Sequence, residues 1–190
     1  TPVQSITGDF TGSSKFFRIE LNNSFGLNVQ SNIEIDNALS LTAGIINTGV
    51  NTILFDQSAS IFPNVGRSNS YINGKVAKVL ANSGASFNFP TGSASRWRPA
   101  SVNSVSTGGL TWEAEYFEAD PTSEALVDNL DPTDPGQIET VSDNEYWKIS
   151  DGNAGVSGVT ATIGLSWGTE SIVSSVIAER EELEDMIWND

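Results

Sequence analysis

Between Phe25 and Ile61 the apolar residues arrive in short alternating sets, and this pattern constrains the fold more than any other feature of the chain. The sets are Phe25/Leu27/Val29, Ile33/Ile35, Leu39/Leu41, Ile45 with Ile46, Ile53/Phe55 and Ile61, and their starts lie six to eight residues apart. Polar breaks such as "QSN", "IDN" and "NTGVN" separate them. Alternation at a period of two places each set on one face of an extended strand. Strands this short and this close suit the coils of a small β-solenoid, where neighbouring rungs stack similar side chains. A meander of ordinary hairpins competes with this reading, because no rung repeats its neighbour closely.

From Ser70 the texture changes to longer strands. "SYINGKVAKVLA" reads as a strand interrupted at Asn73-Gly74, and "ASFNFP" sets Phe87 and Phe89 on one face. In "LTWEAEYFEA", Trp112, Ala114 and Tyr116 point one way and Glu113, Glu115 and Phe117 the other. "VTATIGLSW" repeats the device, with Ala161, Ile163, Leu165 and Trp167 inward. One face core and one face mostly solvent is the pattern of an antiparallel sandwich. In "SDNEYWKISDG", Trp147 and Ile149 read as core, Tyr146 and Lys148 lie on the opposite face, and Glu145 stands at the strand's edge. Residues 118–140, with Pro121, Pro132 and Pro135 and several acids, read as a long loop. The Glu-rich tail from Ser171 fits either a helix or a strand pair that includes "DMIW". The expectation is an all-β fold: a short β-solenoid-like stretch over residues 1–66 leading into an antiparallel β-sandwich over 67–190, packed as one unit.

Composition narrows the chemistry. The chain has no cysteine and no histidine. Thiolate metal sites, disulfides, Ser-His-Asp and Cys-His catalysis, and His-ligated metals are therefore excluded. The net charge of −15 is uneven. Residues 1–112 hold seven Lys/Arg against five Asp/Glu, a balance of +2, whereas residues 113–190 hold two against nineteen, a balance of −17. Such a half repels phosphate backbones and anionic membranes, so no nucleic-acid partner is expected. No run approaches the ~20 apolar residues that cross a bilayer, so no membrane insertion is expected.

Four constellations carry candidate chemistry. Glu113 and Glu115, at i and i+2, are spaced roughly as paired glycosidase acids are, although alternating acids are also ordinary on the outer face of an acidic β protein. Asp120, Asp128, Asp131 and Asp134 offer oxygen ligands for calcium from one flexible stretch, without the EF-hand spacing. The same acids also read as a solvated loop with Asp-Pro turns. Tyr71 and Trp97, each near turn residues, are the candidate glycan-stacking aromatics, while Trp112, Trp147 and Trp167 read as core. Arg96 and Arg98 stand in a chain rich in acids, where a buried or half-buried arginine–carboxylate pair is expected, and the arginine fork is well suited to it.

Several segments in order resemble a recurrent β-rich module of large secreted and cell-surface proteins of Bacteroidota, many of them exported through type IX secretion. "LSLTAGIINTGVNTILF", "SYINGKVAKVL" with "ASFNFPTGSASRWRPASV", "VSDNEYWKIS", "VTATIGLSW" and "MIWND" carry the resemblance, which spans about residues 25–190. The acidic excursion at 118–140 and "EREELED" depart from the module's pattern. The resemblance implies a solenoid-like stretch leading into a sandwich, outside the cell, as a piece of a longer chain, and, because both residues fall in segments that carry it, it selects Arg98 with Glu145 as the structural ion pair. It also implies a non-catalytic adhesion or structural role, with a glycan-binding accessory module of a polysaccharide-degrading enzyme as the alternative. The partners implied are surface glycans, another extracellular protein or the rest of its own longer chain, with calcium as the one candidate cofactor.

Overall fold

The computed structural model describes residues 2–121, 144–151, 157–168 and 186–188. The described residues are all-β, and their N-terminal part is a β-solenoid of about four turns. One side of the coil is built by β1 (Gln4–Ile6), β3 (Leu27–Val29), the first residues of β5 (Ile46–Phe55) and of β7 (Ile72–Leu80), and β9 (Thr91–Gly92). These strands pair in parallel, with Gln4 over Leu27, Leu27 over Ile46, Ile46 over Ile72 and Ile72 over Thr91. The offsets, 23, 19, 26 and 19 residues, are the lengths of successive coils. A second side stacks Phe10, Ile33, Ile53 and Val76. The third stacks Ile19, Leu39 and Ile61 from β2 (Phe16–Asn22), β4 (Ile33–Ala43) and β6 (Ser60–Phe62).

The six-to-eight-residue spacing is thus the length of one side, and three sides make a coil. Inward residues sit on inward residues, and Ile35, Leu39, Ile53, Phe55 and Ile72 are fully buried. Phe25 departs from the expected set: it lies in the turn before β3 and is 60 % exposed. The Asn73-Gly74 step does not interrupt its strand either. It forms the coil corner within β7, where Gly74 has φ 125° and a Cβ would stand 2.0 Å from the Thr48 hydroxyl. Only glycine satisfies both demands.

Parallel pairing continues past residue 66, because β7 belongs to two systems. It pairs in parallel with β5 and antiparallel with β11 (Leu110–Phe117). From β11 the antiparallel ladder runs through β12 (Tyr146–Ser150) to β14 (Met186–Trp188). A separate three-stranded antiparallel sheet has the order β13-β10-β8, formed by Thr162–Leu165, Ala100–Asn103 and Phe87–Phe89. One apolar core links the coils to both. The Phe55 and Phe87 rings, 5.7 Å apart, join the last coils to the small sheet.

Two inward–outward assignments differ from the sequence pattern. Trp167 is 55 % exposed, because the β10–β13 pairing ends at Ala100 and Leu165, two residues short of it. Tyr146 is buried although it faces away from Trp147; its ring stacks on Phe117 at 4.7 Å. Among the described residues no helix is long and apolar enough to cross a membrane.

Candidate functional site

The last rung of the solenoid turns directly into a tight hairpin, and the candidate residues converge there. Arg98 N–H donates to the Thr91 carbonyl at 2.9 Å, and the Thr91 hydroxyl donates to the Arg98 carbonyl at 2.6 Å. Inside this closure, the Ser93 hydroxyl accepts from the Ser95 and Arg96 amides. Such hydroxyl–amide bonding makes serine a turn former. Gly92 lies under both the Arg96 carbonyl and the Tyr71 ring, where a Cβ would come within 2.2 and 2.6 Å.

That packing explains where the two candidate glycan platforms go. Tyr71 is 2 % exposed, sealed beneath the hairpin, so it offers no stacking face; the expectation that it binds glycan is corrected. Its position beside turn residues suggested exposure, but the turn folds over it. Trp97 is half-buried, and its indole N–H donates to the Val65 carbonyl at 2.9 Å.

The arginines point from the hairpin to the antiparallel ladder. Arg98 Nε lies 2.9 Å from Glu145 Oε2, with the carboxylate side chain only 2 % exposed. The Tyr116 hydroxyl donates to the same oxygen. Burial, and then the bond to Glu145, push the Tyr116 phenol well above its ordinary range. Arg96 Nε stands 3.0 Å from Glu118 Oε1, and the Ser93 and Ser95 hydroxyls both donate to Glu118 Oε2. Those two hydroxyl bonds, with the arginine charges behind them, hold the Glu118 carboxyl below its usual value. A general acid at neutral pH needs the opposite shift.

A second polar feature lies where β7 meets the turn after β5. Lys78 occupies an inward position and is 5 % exposed. Its ammonium donates to the carbonyls of Asp56, Gln57 and Ala59 at 2.6, 3.0 and 2.7 Å, and lies 5.3 Å from the centre of the Phe87 ring. Burial pushes its pKa down to about 8, against the pull of Asp56. Lys75 in the same strand is placed differently: its ammonium reaches Glu113 on the outer face at 3.4 Å. Alternation does place Lys78 inward with Val76 and Leu80, and that was the available signal.

Of the remaining candidates, Glu115 lies across from Lys148 in the β11–β12 ladder, and burial pushes its carboxyl up while Lys75 and Lys148 pull it down. Asp120 is exposed, and Asp128, Asp131 and Asp134 lie outside the described residues. Among the described residues no group of three or more acids is arranged to hold a metal ion. Where acids do meet, around Lys15, the ammonium lies 2.9 Å from Asp36 and 3.6 Å from Glu34 and bonds Asp56.

A further polar column escaped the sequence pattern. Asn73 donates to Asn47 at 2.9 Å and Asn47 to Asn28 at 3.4 Å, an amide ladder along one outer face of the coils. Its signal was an apolar–Asn step at Leu27-Asn28, Ile46-Asn47 and Ile72-Asn73, spaced by the coil lengths rather than by a constant period. No protein-family model matches the chain, and no curated protein or solved structure matches it either.

Proposed function

We propose that the chain is a non-catalytic structural or adhesive module of a secreted or cell-surface bacterial protein, of the Bacteroidota type that its motifs resemble. In this reading the ladder and the small sheet form an antiparallel sandwich that closes the coil stack. The observation that supports it most is the use of the polar groups at the junction. Arg98, Glu145, Tyr116, Arg96, Glu118 and Lys78 are all engaged in joining one element of the chain to another. A module that carries load or displays loops is served by such a junction, which adds directional bonds to the β7–β11 pairing and the shared apolar core.

Display of the module on a non-adherent bacterial cell tests the reading. Attachment to protein-coated or cellular surfaces, without turnover of polysaccharides by the purified protein, is the expected result. Release of reducing sugar from any of a panel of glycans would overturn it.

The glycan-binding alternative keeps one observation in its favour: Trp167 is exposed and Trp97 half-exposed. Reproducible signals on a glycan array that vanish in Trp97→Ala or Trp167→Ala would select that alternative. Calcium binding by Asp120, Asp128, Asp131 and Asp134 remains part of the proposal. It requires a higher melting temperature in millimolar calcium than in EDTA, since a ligand of the folded state stabilises it.

A further inference from the structure

The hairpin that follows β9 is fixed at two levels, and the two differ in kind. Its base is closed by the reciprocal bonds between Thr91 and Arg98, and β9 itself pairs with β7. Arg98 then ties the base to the ladder through Glu145, with the two side chains only 14 % and 2 % exposed. The tip, residues 93–96, reaches the ladder through Glu118 instead. Here the Arg96 and Glu118 side chains are 26 % and 32 % exposed, and Ala94 and Ser95 are exposed as well. Ser93, Ala94 and Ser95 bury no large apolar side chain, and segments with few buried contacts are the ones that open locally.

Glu118 collects the side-chain donors of the tip on one carboxylate. Its Oε2 accepts from the Ser93 and Ser95 hydroxyls, and its Oε1 stands 3.0 Å from Arg96 Nε. The Ser93 oxygen also accepts the Ser95 and Arg96 amides, so the carboxylate grips the residue about which the turn is built. Glu118 itself lies one residue past Phe117, the last β11 residue paired with β12. We propose that Glu118 is a latch: its carboxylate holds residues 93–96 against the end of β11, and its protonation or removal frees that tip while the base and the Arg98–Glu145 pair stay closed. Arg96 and Arg98 face the carboxylate from the hairpin, the second with Glu145 bound to it. The Tyr71 phenol feels its charge from the residue before β7, and Asp120 lies two residues further along its own segment. The hydroxyls and the arginines favour the charged form, and the phenol, pushed up by its own burial, stays neutral. The latch is therefore closed across the neutral range and opens in acid, as the pH falls through a value lowered from the ordinary 4.5.

Amide hydrogen exchange, read residue by residue by NMR and corrected for the intrinsic rate at each pH, tests the inference. The Ser95 and Arg96 amides report on the tip, and the Arg98 amide, bonded to the Thr91 carbonyl, reports on the base. At neutral pH Glu118→Ala should lower the protection of Ser95 and Arg96 about tenfold. Arg98 should keep its protection within about twofold of wild type. As the wild-type chain is acidified below pH 4.5, its tip amides should lose protection ahead of the base. Glu118→Gln, which keeps the shape but cannot ionise, should show no such acid step. Glu118 is exposed, so unchanged circular dichroism is expected and keeps folding out of the comparison. Tip amides as protected in Glu118→Ala as in wild type overturn the inference. An equal loss at Arg98 overturns it too, because the whole hairpin then opens. So does an acid step that survives in Glu118→Gln, which places the switch on another group.

Discussion

In the coil stack each inward side chain lies over another of its kind, whereas at the junction with the antiparallel ladder the contacts are between unlike groups. Ile33 over Ile53 and Leu39 over Ile61 need only the right volume at the right height. Arg98 on Glu145 and Lys78 on three carbonyls need direction and charge as well. The difference follows from the period. A coil laid on a coil offers every backbone group a partner in the next rung, so apolar burial suffices inside. Where parallel stacking gives way to antiparallel pairing the period breaks, and the carbonyls of Asp56, Gln57 and Ala59 in the turn after β5 are met by the Lys78 ammonium, the first of them also by the Ala59 amide. Side-chain donors then take over, since a buried unpaired carbonyl costs more than its bond contributes.

If that contrast is right, the largest loss comes from breaking the buried pair. Glu145→Ala or Arg98→Ala should each destabilise the fold by about 3–5 kcal/mol, because the surviving partner is left charged and buried. The double change should cost clearly less than the sum of the two, as coupled residues do. Urea unfolding midpoints that do not move would end the account of the junction.

Lys78→Met keeps the apolar stem but leaves the Ala59 carbonyl without its donor, which should cost about 1–3 kcal/mol at neutral pH. A variant more stable than wild type by the same urea measurement would show that the ammonium costs more than its three bonds contribute. The same lysine gives an alkaline signature. Its pKa is about 8 when folded against the ordinary lysine value of 10.5, so between those limits the unfolded chain holds the extra proton and stability rises with pH. That rise should be absent in Lys78→Met when melting is followed across the window.

Within the stack, Asn47→Ala removes both bonds of the middle ladder residue but little apolar burial, and about 1 kcal/mol is the expected loss. A loss comparable to that of Glu145→Ala would erase the distinction between the two regions.

The smallest effect is acidic. Glu118 and Asp56 are held below their ordinary 4.5 and 3.8, the first by the serine hydroxyls and the second by Lys15. Their stabilisation is complete above those ordinary values and drains as pH falls through the lowered ones. Glu115, pushed up by burial, works the other way and offsets part of that loss; Glu118→Gln should be slightly less stable than the parent above pH 4.5 and should lose less as the pH falls. Acid melting curves of the two proteins measure it.

Much of the fold was legible in the sequence, and the reasons are local. Alternation at Ile33/Ile35, Leu39/Leu41 and Ile53/Phe55 dictates extended strands with one buried face, and their close spacing favours coils over a meander of hairpins without deciding between them. The same rule placed Trp112, Tyr116 and Trp147 in the core, where they lie. Arg98 and Glu145 were named together because both fall in segments that carry the family resemblance, and the fold brings them to 2.9 Å.

Alternation cannot state what lies across from a residue, and the remaining features depended on that. Trp167 obeys the period but outruns its pairing strand, so it is exposed. Tyr71 stands beside turn residues but is covered by a hairpin twenty residues further on. Asn73-Gly74 has the composition of a hairpin turn, yet a corner stacked on Thr48 holds it inside one strand. The asparagine ladder and the lysine–carbonyl knot belong to the same class. Each joins residues whose separation is a coil length, and those lengths vary from 19 to 26 because the turns between sides differ. The sequence by itself determined most of the strands, the apolar face of sets such as Ile33/Ile35, Leu39/Leu41 and Ile53/Phe55, and the approximate length of one side of a coil. Only the tertiary structure decided which sides stack, and therefore which polar groups meet, because stacking register depends on the summed lengths of turns that no local pattern encodes.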